Sequence, residues 1–129
     1  MMPTLFRSMR MEADKLPESG NTARQLGARQ GKDIPVCANG KVDPTTSGMS
    51  IAAGSPNELA PHRRPALFEG SGKDPVFTIH SDRFPSILVV RQSGKSRSHH
   101  LVEPSQQCLY LVFQEAPCST RYSWEEVVQ

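Results

Sequence analysis

The residue with the most specific binding chemistry is Arg7, because it lies inside an otherwise apolar segment, "TLFRSM" (Thr4 to Met9). An arginine within an apolar strand costs free energy unless its guanidinium group reaches solvent or an anion. The planar guanidinium fork suits a phosphate group. Arg7 is therefore a candidate phosphate-binding residue, and the alternative is a strand residue that faces solvent.

A second segment that could hold an anion is "SGMSIA", which contains Ser47, Gly48, Met49 and Ser50. Gly48 allows backbone conformations that other residues do not adopt. The two serine hydroxyls lie beside backbone N–H groups, which can bind an anion or an amide. The alternative is the ordinary start of a strand. The sequence has no Walker loop and no G-x-G-x-x-G motif, which argues against a nucleotide site of those kinds.

The third segment with chemical potential is "HHLVEP", in which His99, Leu101 and Glu103 share one face if the segment is a strand. A histidine and a carboxylate on one face can bind and polarise a sugar. A carboxylate beside the anomeric carbon also stabilises the oxocarbenium-like state of glycosyl transfer. His99 and Glu103 are therefore candidate catalytic residues, and the alternative is a partly exposed edge strand with a hydrated polar face.

A basic cluster of His62, Arg63 and Arg64 follows in the loop "NELAPHRRP". Two adjacent arginines could bind phosphates or an acidic target, and the alternative is a solvated loop surface. The formal net charge is only +2, which is too small to imply a nucleic-acid partner by itself. Long loops in a domain of this size are often functional.

Metal and disulfide chemistry find no support in the sequence. The four histidines lack the spacing of a metal site, and the three cysteines form no C-x-x-C pair. An odd number of cysteines favours a reducing compartment. No signal-peptide core and no run of about 18 apolar residues occurs, so we expect a cytoplasmic protein without a membrane span.

The elements that must position these residues are mostly short strands. With 129 residues, 36% hydrophobic residues, 11 prolines and 9 glycines, the sequence predicts one loop-rich α+β domain spanning residues 1–129. The predicted strands are Thr4 to Met9, the segment "MSIAA", Val76 to His80, Ser86 to Gln92 and the segment "HHLVEP".

The remaining elements are predicted from turn and capping signals. Residues 21–31 are expected to form one or two helical turns, and Asn39-Gly40 is expected to form a turn between short β segments. Residues 108–116 fit either a buried strand or a helix. The Ser123 capping box predicts a short terminal helix.

The order of three motifs, "LFR", "GMS" and then "HHLVEP", resembles that of the ADP-ribosyltransferase-like fold. It is most similar to small toxin domains of that fold exported by type VI secretion systems, and to related uncharacterised bacterial proteins. The matching residues are Arg7 in the first motif, Gly48, Met49 and Ser50 in the second, and His99 in the third.

The resemblance implies a split pair of β-sheets with a few short helices, and it implies that the sheets bind NAD in a cleft. Arg7 would hold the pyrophosphate or ribose, Ser50 would support the nicotinamide-side ribose, and His99 would contact ribose or nicotinamide. The segment "NELAPHRRP" would lie over the cleft as a mobile loop, from which Arg63 and Arg64 would reach phosphates. Glu103 is the candidate catalytic acid, although the family fixes no acid at that position.

The expected function is therefore an NAD-dependent ADP-ribosyltransferase toxin or effector that modifies a protein or a nucleic acid. An immunity protein and delivery into a target cell by a secretion system go with that expectation. Two alternatives stay open: a non-catalytic domain of the same fold that binds a nucleotide or a partner, and an enzyme resembling RNA 2′-phosphotransferases. Ser47, His100 and Cys108 depart from the family pattern.

Overall fold

The computed structural model describes residues 4–94 and 96–128, which form an α+β fold with one α-helix. Five short 3₁₀ turns lie between the regular elements. The strands and the helix, in chain order, are β1 (Thr4–Ser8), β2 (Lys41–Val42), β3 (Met49–Ala53), β4 (Val76–His80), β5 (Leu88–Gln92), β6 (His99–Pro104), β7 (Cys108–Leu109), α1 (Tyr110–Cys118) and β8 (Glu125–Glu126).

Six strands form one antiparallel sheet in the order β5-β6-β3-β1-β4-β8, and β2 pairs with β7 in a small second sheet. The five longer strands all overlap predicted strands, and those in β4 and β5 were predicted from their β-branched residues. The pairing of β1 with β3 is short, because only Leu5 and Phe6 face partners, Ala53 and Ala52. Arg7 and Ser8 remain paired with β4 alone, so the sheet opens between β1 and β3 beyond Phe6.

Apolar residues are buried on both faces of the large sheet. Leu5 and Phe6 are neighbours on β1 and belong to different clusters, as the alternation of strand side chains requires. The larger cluster joins one sheet face to α1 through Phe113 and includes the buried Trp124. The smaller cluster packs Phe68 of the 56–75 loop against the other face. This loop is therefore tied to the sheet beside the opening between β1 and β3.

The predicted helical turns at residues 21–31 are wrong, because this segment forms irregular turns. The carbonyl oxygens of Ala23, Gln25 and Gly27 accept hydrogen bonds from the Arg7 side chain, whereas in an α-helix they would accept from later backbone N–H groups. Gly27 has φ +155°, which no helical residue has. A long-range contact therefore overrides a weak local preference.

The C-terminal predictions are corrected in two places. Residues 108–116 contain both alternatives, two residues of strand followed by the helix that starts at Tyr110. The terminal helix predicted from Ser123 is wrong, since the chain enters β8 instead. Trp124 explains the difference, because its ring is buried and its Nε1 donates to Thr120 Oγ1, which holds the backbone extended at φ −86° and ψ 142°.

The turn at Asn39-Gly40 is confirmed. Gly40 has φ +79°, its N–H donates to the Cys37 carbonyl, and the Asn39 side chain accepts from the Lys41 N–H. Val42 then pairs with Cys108 in the small sheet. Within residues 4–94 and 96–128, no helix combines the length and apolar character needed to cross a membrane.

Candidate functional site

A cleft of about 390 Å³ lies where the large sheet opens. One wall consists of residues from β1, β3 and β6, and the other comes from the loop segment that contains Glu58, His62 and Arg63. The volume falls in the range of small-molecule sites, which is about 300–1,000 Å³. The cleft is therefore the leading candidate for a binding site in the described part of the chain.

Three residues that the sequence assigned to one site, Arg7, Ser50 and His99, all line this cleft. The strand order explains how they meet, because β3 lies between β1 and β6. Ala52 of β3 is directly opposite His99, and Ser50 is two residues from Ala52. Side chains two residues apart share a face, so Ser50 and His99 project to the same side of the sheet.

The Arg7 guanidinium bridges the opening between β1 and the neighbouring segments. Its Nη1 donates to the Ser50 carbonyl at 2.7 Å, and its Nη2 donates to the Gln25 carbonyl at 2.8 Å. Longer contacts run from Nη2 to the carbonyls of Ala23 and Gly27, and from Nε to that of Gln25. Most of its donors are thus engaged by backbone oxygens, and the side chain shapes the cleft wall.

The pKa of Arg7 is lowered to about 10, chiefly by burial; Asp33 opposes this shift, and the nearby charges of Arg63 and Arg29 add to it. The group remains charged at neutral pH. Since Arg7 is only 7% exposed, its charge acts in a region of reduced solvent screening. The cleft wall therefore carries a positive charge that favours an anionic ligand.

Ser50 and His99 present free polar groups to the cleft. Both residues are exposed, and neither the Ser50 hydroxyl nor the His99 ring has a hydrogen-bond partner among the described residues. Close by, the hydroxyls of Ser96 and Ser98 lie 3.0 Å apart and line the same space. The cleft can therefore offer several hydroxyls and an imidazole to a sugar.

The loop arginines have different positions. Arg63 lines the cleft, and its Nη1 donates to the Ala23 carbonyl at 3.0 Å, which ties the loop to the segment that surrounds Arg7. Arg64 does not line the cleft. Its Nη1 donates to the Asn57 carbonyl at 2.9 Å, and its Nε is buried with no partner among the described residues. Only Arg63 of the two is placed to contact a ligand there.

The loop that carries Arg63 is held in place by its own backbone. The N–H of Arg63 donates to the Ala60 carbonyl, and the N–H groups of Ser71 and Gly72 donate to Pro61 and Arg64. A Cβ atom on Gly72 would lie 2.8 Å from the His62 carbonyl oxygen, which shows how closely the two halves of the loop pack. The loop therefore presents Arg63 in a defined position.

Gly48 and Met49, which the sequence also assigned to the site, do not line the cleft. A Cβ atom on Gly48 would collide with the Val102 carbonyl oxygen, so the absence of a side chain lets β3 and β6 approach closely. Met49 is fully buried in the larger cluster. Both residues support the strand that carries Ser50.

Glu103 shares a sheet face with His99, as predicted, but the structure does not bring it to the cleft. Four residues of strand separate the two by roughly 13 Å. The Glu103 carboxylate is 1% exposed, lies 2.9 Å from Nη2 of Arg91 and accepts from the Thr45 N–H. The two side chains form a salt bridge, and this hydrogen-bonded pairing raises the pKa of Arg91.

The carboxylate that does line the cleft is Glu58, which the sequence reasoning did not select. It ends the 3₁₀ turn Pro56–Glu58, a few residues before the basic cluster. Its position inside the loop expected to lie over the cleft is the signal that could have identified it. Ala23 was also missed, because only the Arg7 and Arg63 hydrogen bonds bring its carbonyl to the site.

The described residues contain no group of three or more histidine, cysteine, aspartate or glutamate side chains arranged to hold a metal ion. Cys37, Cys108 and Cys118 are all free thiols. No family model, no curated protein and no solved structure matches the chain. Any functional interpretation therefore depends on the cleft itself.

Proposed function

We propose that the chain is an NAD-dependent ADP-ribosyltransferase with an ADP-ribosyltransferase-like fold. The observation that carries the proposal is the convergence of Arg7, Ser50 and His99, which are distant in sequence, on one cleft at the opening of the sheet. The resemblance implied a split pair of β-sheets, whereas β1 and β3 belong to one six-stranded sheet here, and their short pairing leaves an opening within it.

The charge of the cleft supports a phosphate-bearing ligand such as a dinucleotide. Its volume of about 390 Å³ suits a small molecule, and Arg63 is the arginine with uncommitted N–H groups for a pyrophosphate. Arg7 contributes its charge and fixes the walls, since most of its donors bind backbone carbonyls. This division of roles refines the expectation that Arg7 itself grips the phosphates.

The remaining polar groups suit the ribose next to nicotinamide. Bound NAD would supply an activated glycosidic bond between C1′ and the nicotinamide nitrogen. The Ser50 hydroxyl and the His99 ring would bind the ribose, and Glu58 is the carboxylate within the cleft that could stabilise positive charge developing at C1′. The acceptor would form a bond to C1′ and lose a proton to His99, while nicotinamide would leave with the bonding electron pair.

The test compares two adjacent arginines. NAD binding is measured by calorimetry, and nicotinamide release is followed chromatographically, for the wild type and for Arg63→Ala and Arg64→Ala. Loss of a charge-assisted phosphate contact should weaken NAD binding by about tenfold in Arg63→Ala, and Arg64→Ala should bind like the wild type. His99→Ala should weaken NAD binding only modestly, through the lost ribose contact, and should lose nicotinamide release. Equal effects of both arginine variants, or no NAD binding by the wild type, would refute the proposal.

A second candidate is a non-catalytic domain that binds a nucleotide in the same cleft. The observation that favours it is the sequestration of Glu103, the acid selected from the sequence, in an ion pair with Arg91. NAD binding that depends on Arg63, without nicotinamide release in the presence of cell extract as a source of acceptor, would select this candidate. Action in the cytoplasm of a target cell and neutralisation by an immunity protein belong to the first proposal.

A further inference from the structure

A second cleft, of about 420 Å³, continues from the first. The two share four residues, Ser8, Ala23, His62 and Arg63. The second cleft adds Arg24, Lys73 and Asp74. A ligand in it would therefore lie directly beside a ligand in the first, which is the arrangement that a transfer between two substrates requires.

The second cleft is basic. Its only carboxylate among the described residues, Asp74, is held by a fork from Arg24, with Nε and Nη2 each 2.7 Å from a carboxylate oxygen. Lys73 has no ion-pair partner among the described residues, and Arg63 bonds only a backbone carbonyl.

Four arginine or lysine residues and two carboxylates line the two clefts together. This excess of two positive charges on one continuous surface can attract a polyanion.

The lining of the second cleft distinguishes a nucleic acid from a protein. Among the described residues, it contains no phenylalanine, tyrosine, tryptophan or large aliphatic side chain, and its members without a formal charge are Ser8, Ala23, His62, Ser71 and Gly72. Protein partners usually gain affinity by inserting apolar or aromatic anchors into pockets. Phosphate backbones instead bind arginine, lysine, hydroxyl and backbone N–H groups, which this cleft provides.

We propose that the second cleft binds the phosphodiester backbone of a nucleic acid, and that this nucleic acid is the acceptor. The inference rests on the proposed transferase function for the chemistry, though not for the binding. In the transfer, an oxygen or nitrogen of the nucleic acid forms a bond to C1′, and the bond from C1′ to nicotinamide breaks. The acceptor atom gives up its proton to His99, and neutral nicotinamide leaves.

The test uses single-stranded RNA and DNA oligonucleotides with a fluorescent label, titrated with the full chain and followed by anisotropy at several salt concentrations. Lys73→Ala removes a charge found in the second cleft only. Lys32→Ala is the matched control, because Lys32 is exposed and lies outside both clefts. Loss of one phosphate contact to a single strand should lower the logarithmic salt slope by about 0.7, and we expect affinity to fall roughly fivefold.

The outcomes separate this inference from the proposed function. Weaker oligonucleotide binding in Lys73→Ala, with Lys32→Ala and NAD binding both unchanged, supports the inference. Equal binding by the two lysine variants, or tight binding of a poly-glutamate peptide with none of either oligonucleotide, overturns it. Nicotinamide release without nucleic acid, by slow hydrolysis, tests the first cleft alone. Comparing RNA with DNA identifies which polymer supplies the phosphates.

Discussion

Replacing Arg7 with methionine should destabilise the fold substantially, because the guanidinium group links three parts of the chain. Its two shortest hydrogen bonds, to the carbonyls of Ser50 at 2.7 Å and Gln25 at 2.8 Å, lie in a buried region. At about 1.5–3 kcal/mol for each bond to a charged group, the pair contributes about 3–6 kcal/mol. Removing a desolvated charge offsets part of this contribution, so we expect Arg7→Met to lower the free energy of unfolding by about 3 kcal/mol.

The assay is equilibrium unfolding in urea, read by the fluorescence of the buried Trp124. Arg7→Lys keeps the charge but has a compact ammonium group that cannot reach carbonyls on both sides of the opening, so we expect it to lose about 2 kcal/mol. Arg63→Ala is the comparison variant, because that side chain makes one hydrogen bond, to Ala23, and should change stability by less than about 1 kcal/mol.

The reasoning fails if Arg7→Met lowers the free energy of unfolding by less than about 1 kcal/mol. A guanidinium group that bridges three segments should contribute more than that in a domain whose total stability is about 5–15 kcal/mol. Such a result would mean that Arg7 is free in solution to bind a ligand directly. If Arg7→Met kept its stability and lost NAD binding, the phosphate contact would be assigned to Arg7 and not to Arg63.

Three further predictions concern residues that do not line the cleft. Gly48→Ala should cost about 1–3 kcal/mol in urea unfolding, because the new methyl group would overlap the Val102 carbonyl. Glu103→Gln should cost about 2 kcal/mol by the same assay and leave nicotinamide release unchanged, because that carboxylate is buried in an ion pair away from the cleft. Asp43→Asn should make Cys37 react roughly threefold faster with iodoacetamide at pH 8, because the Asp43 carboxylate, hydrogen-bonded to the thiol, raises its pKa.

Each of these predictions has a control that isolates its cause. Ser47→Ala changes the residue before Gly48 without adding volume and should unfold like the wild type. Reduced nicotinamide release in Glu103→Gln at a temperature where it remains folded would restore a catalytic role for that acid. Cys108 serves as the internal reference for alkylation, since burial, and not Asp43, raises the pKa of its thiol.

The strands were predictable because their signals are local. β-branched residues mark β4 and β5, and two-residue alternation places Ser50 and His99 on a common side once their strands pair. The alternation assigns a residue to a face of the sheet but does not say which residues become its neighbours. In the structure Glu103 lies beside Arg91, not beside His99. Sharing a face is thus a weaker condition than sharing a site.

The segment around Gln25 shows the opposite limit. Its few apolar residues and a capping signal favoured helical turns, and nothing local indicated otherwise. Its conformation depends on the Arg7 side chain, 18 residues earlier, and on packing between Gly20 and Gly27. Sequence patterns describe what a segment prefers alone, whereas this segment adopts the shape that satisfies a buried cation.

The position of β1 in the sheet has a consequence for how the chain must be made. β1 is the first strand to leave the ribosome, yet its two neighbours are β3 and β4, so its backbone has no native partners until Ala53 and then His80 have emerged. The sheet can be completed only after Glu126 pairs with Phe77. A truncation of residues 4–8 would therefore remove the strand that joins β3 to β4, and the nascent sheet stays incomplete until Glu126 has been translated.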